Sequence, residues 1–124
     1  MTEALMKIAH ALVFAATVIG CGSAGDAGEV GPTGKVVGST CASTSDCQSQ
    51  CVQSSHFPGG MCTASCAGDA DCPADTACIS EDGTGICAVV CASSDDCAAF
   101  DRGFTCDDRS RFGASGDAHV CRTP

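Results

Sequence analysis

Twelve of the chain's 13 Cys residues lie between Cys41 and Cys121, and they recur with a period of 25 residues. Cys41-Ala-Ser-Thr-Ser-Asp46-Cys47 returns as Cys66-Ala-Gly-Asp-Ala-Asp71-Cys72 and again as Cys91-Ala-Ser-Ser-Asp-Asp96-Cys97. Each copy places Ala after its first Cys and Asp before its second. Two further Cys follow in every copy: Cys51 and Cys62, then Cys78 and Cys87, then Cys106 and Cys121. Spacing and flanking residues repeat together, which marks tandem structural units. Residues 41–124 therefore divide into three repeats, 41–65, 66–90 and 91–124.

These units cannot rely on burial. From Cys41 onward the large apolar residues number only 11, with no Leu, Trp or Tyr. They are Val52, Phe57, Met61, Ile79, Ile86, Val89, Val90, Phe100, Phe104, Phe112 and Val120. So few side chains cannot offset the entropy lost in ordering the backbone. Covalent links must supply the difference. Zinc sites favour Cys pairs separated by two residues. Here successive Cys from Cys41 are separated by 3, 5, 8, 10 or 14 residues. Disulfides are the better reading, each contributing about 2–4 kcal/mol, with three pairings open per unit on spacing alone. The expected fold is small, disulfide-rich and irregular, with short β-hairpins, three tandem four-Cys units and no large hydrophobic core. Strands are expected at Ala77–Ile79, Gly85–Val90 and Phe104–Cys106, with Asp82-Gly83 as a hairpin turn. No long helix is expected after residue 20.

Residues 1–20 read as a signal peptide. Ile8 to Gly20 is apolar apart from His10, too short for a membrane span and suited to export. Starting translation at Met6 gives a cleaner basic head, Met6-Lys7, because Glu3 then drops out. The stretch ends in Val18-Ile19-Gly20-Cys21, which resembles the lipobox of bacterial lipoproteins, with Val in place of Leu three residues before the Cys. That resemblance implies a thioether from Cys21 to diacylglycerol, cleavage before Cys21, and acylation of the new amino group. Two or more acyl chains give stable anchoring where one does not. Residues 21–40 contain six Gly, counted from Gly22 to Gly38, and read as a flexible tether. Gly22 stands where an Asp would retain some lipoproteins at the inner membrane. An outer-membrane anchor facing the periplasm or the cell surface is therefore expected.

The four-Cys unit, with its C-x5-C opening and Asp before the second Cys, resembles the Dickkopf N-terminal Cys-rich pattern and, more distantly, the colipase-like scaffold. The resemblance spans Cys41 to Cys121. The colipase-like arrangement pairs first with third Cys and second with fourth. It implies Cys41–Cys51, Cys47–Cys62, Cys66–Cys78, Cys72–Cys87, Cys91–Cys106 and Cys97–Cys121. The third unit departs most from the pattern. Function does not follow from such a frame.

Chain chemistry narrows the partners. Past residue 20 there are 14 acidic residues against Lys35, Arg102, Arg109, Arg111 and Arg122, a net charge of −9. Nucleic acid is excluded as a partner, because phosphate contacts need a basic face. The acids of the second and third units lack the Gly and distal Glu of a calcium-binding loop. Asp46, Asp71 and Asp96 fit better as turn formers bonded to backbone N–H groups. No metal site and no resident cofactor are expected, with calcium kept as an alternative for an adhesive module. His56 and His119 both fall in expected loops, and no nucleophile elbow, His metal pair or phosphate loop is present. Catalysis is not expected. Two loops offer contact residues: Val52 to Met61, with His56 and Phe57, and Asp107 to Val120, with Arg109, Arg111 and Phe112. Phe57 and Phe112 read alternatively as core residues covering the bridges, and for Phe57 the two readings weigh equally. The second loop reads as a mobile insertion. The leading expectation is a lipid-anchored binding or structural module of the cell envelope, attached to the bilayer by its acyl chains and meeting an envelope or extracellular protein. A hydrolase or protease inhibitor using the Cys51–Cys62 loop is the alternative.

Overall fold

The computed structural model describes residues 29–124. The signal peptide and Cys21 lie outside the described residues. Each repeat has the same order of elements: a short 3-10 turn followed by a β-hairpin. The first has η1 (Thr44–Asp46), β1 (Gln50–Val52) and β2 (Met61–Thr63). The second has η2 (Asp69–Asp71), β3 (Thr76–Glu81) and β4 (Thr84–Val89). The third has η3 (Ser94–Phe100), β5 (Thr105–Ser110) and β6 (Asp117–Arg122).

The repeated Asp builds the turn. Asp46 Oδ2 accepts from Ala42 N at 2.8 Å and Ser43 N at 3.2 Å. Asp96 Oδ2 accepts from Ala92 N at 2.7 Å and Ser93 N at 3.2 Å. Asp71 Oδ2 accepts from Ala67 N at 2.8 Å. The carboxylate thus reaches back to N–H groups at and just before the N-cap, fixing the entry to the turn. The six disulfides then fasten turn to hairpin: Cys41–Cys51, Cys47–Cys62, Cys66–Cys78, Cys72–Cys87, Cys91–Cys106 and Cys97–Cys121. These are the pairs the colipase-like arrangement implies. Their logic lies in the strand register. Cys51 faces Cys62, Cys78 faces Cys87, and Cys106 faces Cys121. The last two Cys of a unit are therefore cross-strand neighbours, and each holds one Cys from the opening segment.

The Asp82-Gly83 turn is as expected. Glu81 pairs with Thr84, leaving two turn residues, and both have positive φ, 53° at Asp82 and 85° at Gly83. This is the twist a two-residue hairpin prefers. Strands β1, β2 and β6 were not expected: β1 and β2 are only three residues long, and β6 carries two charged residues and a His around its alternating Ala118 and Val120. Residues 107–120 are not a mobile insertion. They fill most of the β5–β6 hairpin, whose six residue pairs run from Thr105↔Arg122 to Ser110↔Asp117. Polar β5 is held in a strand by its partner and by the Cys91–Cys106 bridge.

The tether reading also needs correction over residues 29–40. Val37 is fully buried. Gly38 N donates to Cys62 O at 2.9 Å, and Cys62 N returns a bond to Ser39 O at 2.8 Å. Gln48 N donates to Lys35 O at 2.9 Å. The segment is an arm docked along β2. Two of its glycines, Gly34 and Gly38, serve close approach: a Cβ on Gly38, whose φ is +124°, would sit 1.9 Å from Gly31 O.

No disulfide crosses from one unit to another among the described residues. One shared core joins them instead, with Val37, Phe57, Met61, Ile79, Ile86, Phe100, Phe104 and Val120 at its centre. Single bridges Ser65↔Ile86, Ile79↔Arg111 and Val90↔Val120 stitch neighbouring hairpins.

The turn carboxylate has a pH signature. Backbone bonds from Ala42 and then Ser43 lower the Asp46 pKa below its ordinary value of 3.8. A depressed carboxylate stabilises the fold above its unfolded pKa and loses that contribution as pH falls through the folded value. In an NMR titration, the Asp46 carboxyl and the Ala42 amide should share a midpoint below 3.8, and Asp46→Asn should abolish the Ala42 transition.

Candidate functional site

The loop between β1 and β2 forms a shallow open groove of about 580 Å³. Cys41, Ala42, Gln53, Ser54, Ser55 and the Gly59–Gly60 backbone line it, with Phe57 beneath. Gly59 and Gly60 both have positive φ, 83° and 77°. At Gly60 a Cβ would lie 2.2 Å from Cys41 O, so the tight return of this loop against the Cys41–Cys51 bridge requires Gly. The lining offers hydroxyls, one amide and exposed backbone. It brings together no acid, His or Lys. Such a surface suits hydrogen bonding to a polypeptide.

Of the two readings open for Phe57, contact residue or core, the structure takes the core. The ring is fully buried, edge-on to Phe104 with ring centroids 6.0 Å apart. Phe104 in turn lies 5.2 Å from Phe100. The guanidinium of Arg102 covers this stack, with Cζ 4.7 Å from the Phe104 centroid and 5.6 Å from that of Phe100. Arg102 also donates to Gly60 O at 2.6 Å and to Gly38 O. One side chain of the third unit therefore closes on the first unit and the arm. Burial lowers its pKa, but an arginine stays charged regardless, so the carbonyls and π-faces act as its counter-dipoles.

His56 is half-buried and its Nδ1 lies 3.1 Å from Thr123 O. Thr123 N donates to His56 O at 2.9 Å, and Thr123 Oγ1 to Ser55 O at 2.8 Å. The C-terminal residues thus clip the groove loop from behind. Sequence reading did not find this clip, since Thr123 carries no motif.

A second unexpected feature is buried charge. Glu81 is 2% exposed. Its Oε1 lies 3.7 Å from Arg122 Nη2 and 3.8 Å from Arg109 Nε. Its Oε2 accepts from Ser54 Oγ at 3.4 Å. Residues of all three units meet here. Burial, reinforced by the Arg109 charge, lowers the Arg122 pKa, while Glu81, Asp107 and Asp82 oppose that shift. A signal for this cluster exists in the sequence. Ala77, Ile79 and Glu81 alternate along one strand, as do Ala118, Val120 and Arg122 along another. A period of two carries the charged residue onto the apolar face.

The other candidates separate. Arg109 belongs to the Glu81 cluster. Arg111 pairs with Asp69 at 2.6 Å. Phe112 is half-buried and packs over Gly85, where a Cβ would meet its ring at 2.6 Å. These three form no joint contact surface with His56 and Phe57. His119 is exposed and pairs with Asp108 across the β5–β6 ladder. Three Cys triads, such as Cys41, Cys47 and Cys62, bring their sulfurs within 4.8 Å of one another. Every sulfur in them is committed to a disulfide and offers no thiolate to a metal.

Among the described residues no helix is long and apolar enough to cross a membrane. No protein-family model, curated protein or solved structure matches this chain.

The joints carry measurable energy. Glu81→Ala removes the acid nearest buried Arg122, leaving only Asp107 and Asp82, and should lower unfolding stability by up to about 3 kcal/mol, read by denaturant titration of the oxidised protein. Phe57→Ala empties a fully buried ring site and should lose about 3–5 kcal/mol in the same assay. Gln53→Ala should leave stability within about 0.5 kcal/mol of wild type, since Gln53 is exposed and bonds only Ala42 O.

Proposed function

We propose that this chain is an exported, lipid-anchored, disulfide-rich protein of the bacterial envelope, acting as a non-catalytic binding or structural module. The supporting observation is the arithmetic of the cysteines. Twelve pair within their own repeats, leaving Cys21 as the thirteenth. A chain built on six disulfides suits an oxidising compartment. Cys21 follows Val18-Ile19-Gly20, a stretch that resembles a lipobox. The thioether at Cys21 supplies the membrane attachment, and the bridged repeats supply a rigid body outside it.

The groove of the first repeat is the contact surface. Its backbone is pinned by Cys41–Cys51, by Arg102 and by the Thr123 clip. A partner peptide therefore meets groups already in place and pays little ordering entropy. The destination is the outer membrane, and the partner is an envelope or extracellular protein.

Growth with an alkyne fatty acid, followed by click labelling, should mark the wild-type chain. Cys21→Ala should lose the label entirely and move the protein from the membrane fraction to the soluble fraction. Label retained on Cys21→Ala overturns the anchor. For the groove, Gln53→Ala with Ser55→Ala should reduce capture of envelope proteins while preserving the fold.

A further inference from the structure

We propose that the docked arm and the first repeat form a membrane-apposed face, seated on anionic phospholipid headgroups, with the second and third repeats held outward. This rests on the lipid anchor at Cys21. Three independent observations carry it.

The first is reach. From Cys21 to Glu29, the first described residue of the docked arm, the chain has eight Cα–Cα steps. They span at most about 28 Å at full extension. Were the chain loose as far as Cys41, twenty steps would reach about 70 Å. A body of the 96 described residues has a radius of gyration of about 12 Å. The anchored body thus stays within about one of its own diameters of the bilayer.

The second is direction. The arm's backbone docks on the first repeat, through Lys35 O to Gln48 N and through Gly38 and Ser39 to Cys62. Arg102 of the third repeat reaches the arm only through the Gly38 carbonyl. The short link to the anchor therefore leaves from the edge of the first repeat.

The third is charge. Residues 29–65 hold Glu29 and Asp46 against Lys35, close to neutral, and Lys35 is exposed. Residues 66–124 hold eleven acids against four Arg, a net charge of −7. Those four Arg are engaged: Arg102 with carbonyls, Arg109 and Arg122 with Glu81, Arg111 with Asp69. An anionic surface repels such a face within a Debye length of about 8–10 Å. The near-neutral repeat settles toward the headgroups and the acidic ones point away. Tether and electrostatics select the same orientation.

The test uses the full lipidated chain in supported bilayers of phosphatidylethanolamine and phosphatidylglycerol. Neutron reflectometry gives the height of the protein layer, and hydroxyl-radical footprinting gives the covered face. The expected wild-type layer begins within about 30 Å of the headgroups, with protection confined to residues 29–65. A Gly-Ser spacer of about ten residues inserted after Gly25 lengthens the greatest reach by about 35 Å and should raise the layer and abolish the protection. Gly38→Val should do the same by undocking the arm. The spacer variant leaves the arm intact, so it carries the test where Gly38→Val fails to fold. An anchored wild-type layer at the spacer variant's height overturns the membrane-apposed face alone. So does protection spread over residues 66–124. A layer that washes off in high salt overturns the anchor and the face together.

Discussion

Everything in this molecule depends on the placement of two cysteines opposite each other on every hairpin. Cys51 and Cys62, Cys78 and Cys87, and Cys106 and Cys121 are each cross-strand partners. Two-stranded hairpins are marginal in water on their own. Here each strand is bonded to the segment that precedes it, so the hairpin cannot separate without displacing the turn. The Asp before the second Cys sets that turn by accepting backbone N–H groups. A four-Cys unit is thus a closed object whose shape depends little on side-chain burial, which explains how it tolerates strands as polar as Thr105–Ser110.

Assembly of the three units is a different problem with a different solution. The bridges stay inside the units, so noncovalent contacts must set how they pack. Apolar contact contributes Phe57 against Phe104, and the few large residues concentrate at this shared core. Charge contributes Arg102, which spans the third repeat, the first repeat and the arm. Glu81 gathers Arg109, Arg122 and Ser54 from both neighbours. Buried ion clusters are weak sources of net stability, because desolvation cancels much of the attraction. At the Glu81 joint they act through charge balance, since Glu81 Oε1, Arg109 Nε and Arg122 Nη2 make no hydrogen bond: a displaced unit would strand a buried charge. The same joints hold the groove loop, so the surface proposed to meet a partner is rigid for the reason the units are packed.

How much was legible follows from which forces are local. The repeat, its Asp turns and the Asp82-Gly83 hairpin are readable because their causes lie within a few residues. Strand β6 was not, since Asp117–Arg122 carries two charged residues and a His, and its partner lies across a turn set by Gly113 and Gly116. The Gly-rich arm misled in an instructive way. Composition treats Gly as freedom, yet Gly34 and Gly38 are there because other backbone atoms occupy the space a Cβ would need. Phe57 stayed open in the sequence. A Phe beside Pro-Gly-Gly reads as a displayed contact or as core, and the scarcity of core residues means the core claims it.

By itself the sequence determined the number of units, the chemistry that closes them, the acidity of the exterior and the motif that resembles an export and lipidation signal. These depend on residue identity and on short spacings, which survive any packing. Only the tertiary structure decided that residues 29–40 belong to the body, that Arg102 and Glu81 are joints rather than surface charges, and that the groove lies over Phe57 rather than displaying it. Each of those depends on atoms that come together from 20 or more residues apart, Gly38 with Cys62, Gly60 with Arg102, Glu81 with Arg122. No local spacing encodes such encounters, because the relative placement of the three cross-linked units is settled only when they pack.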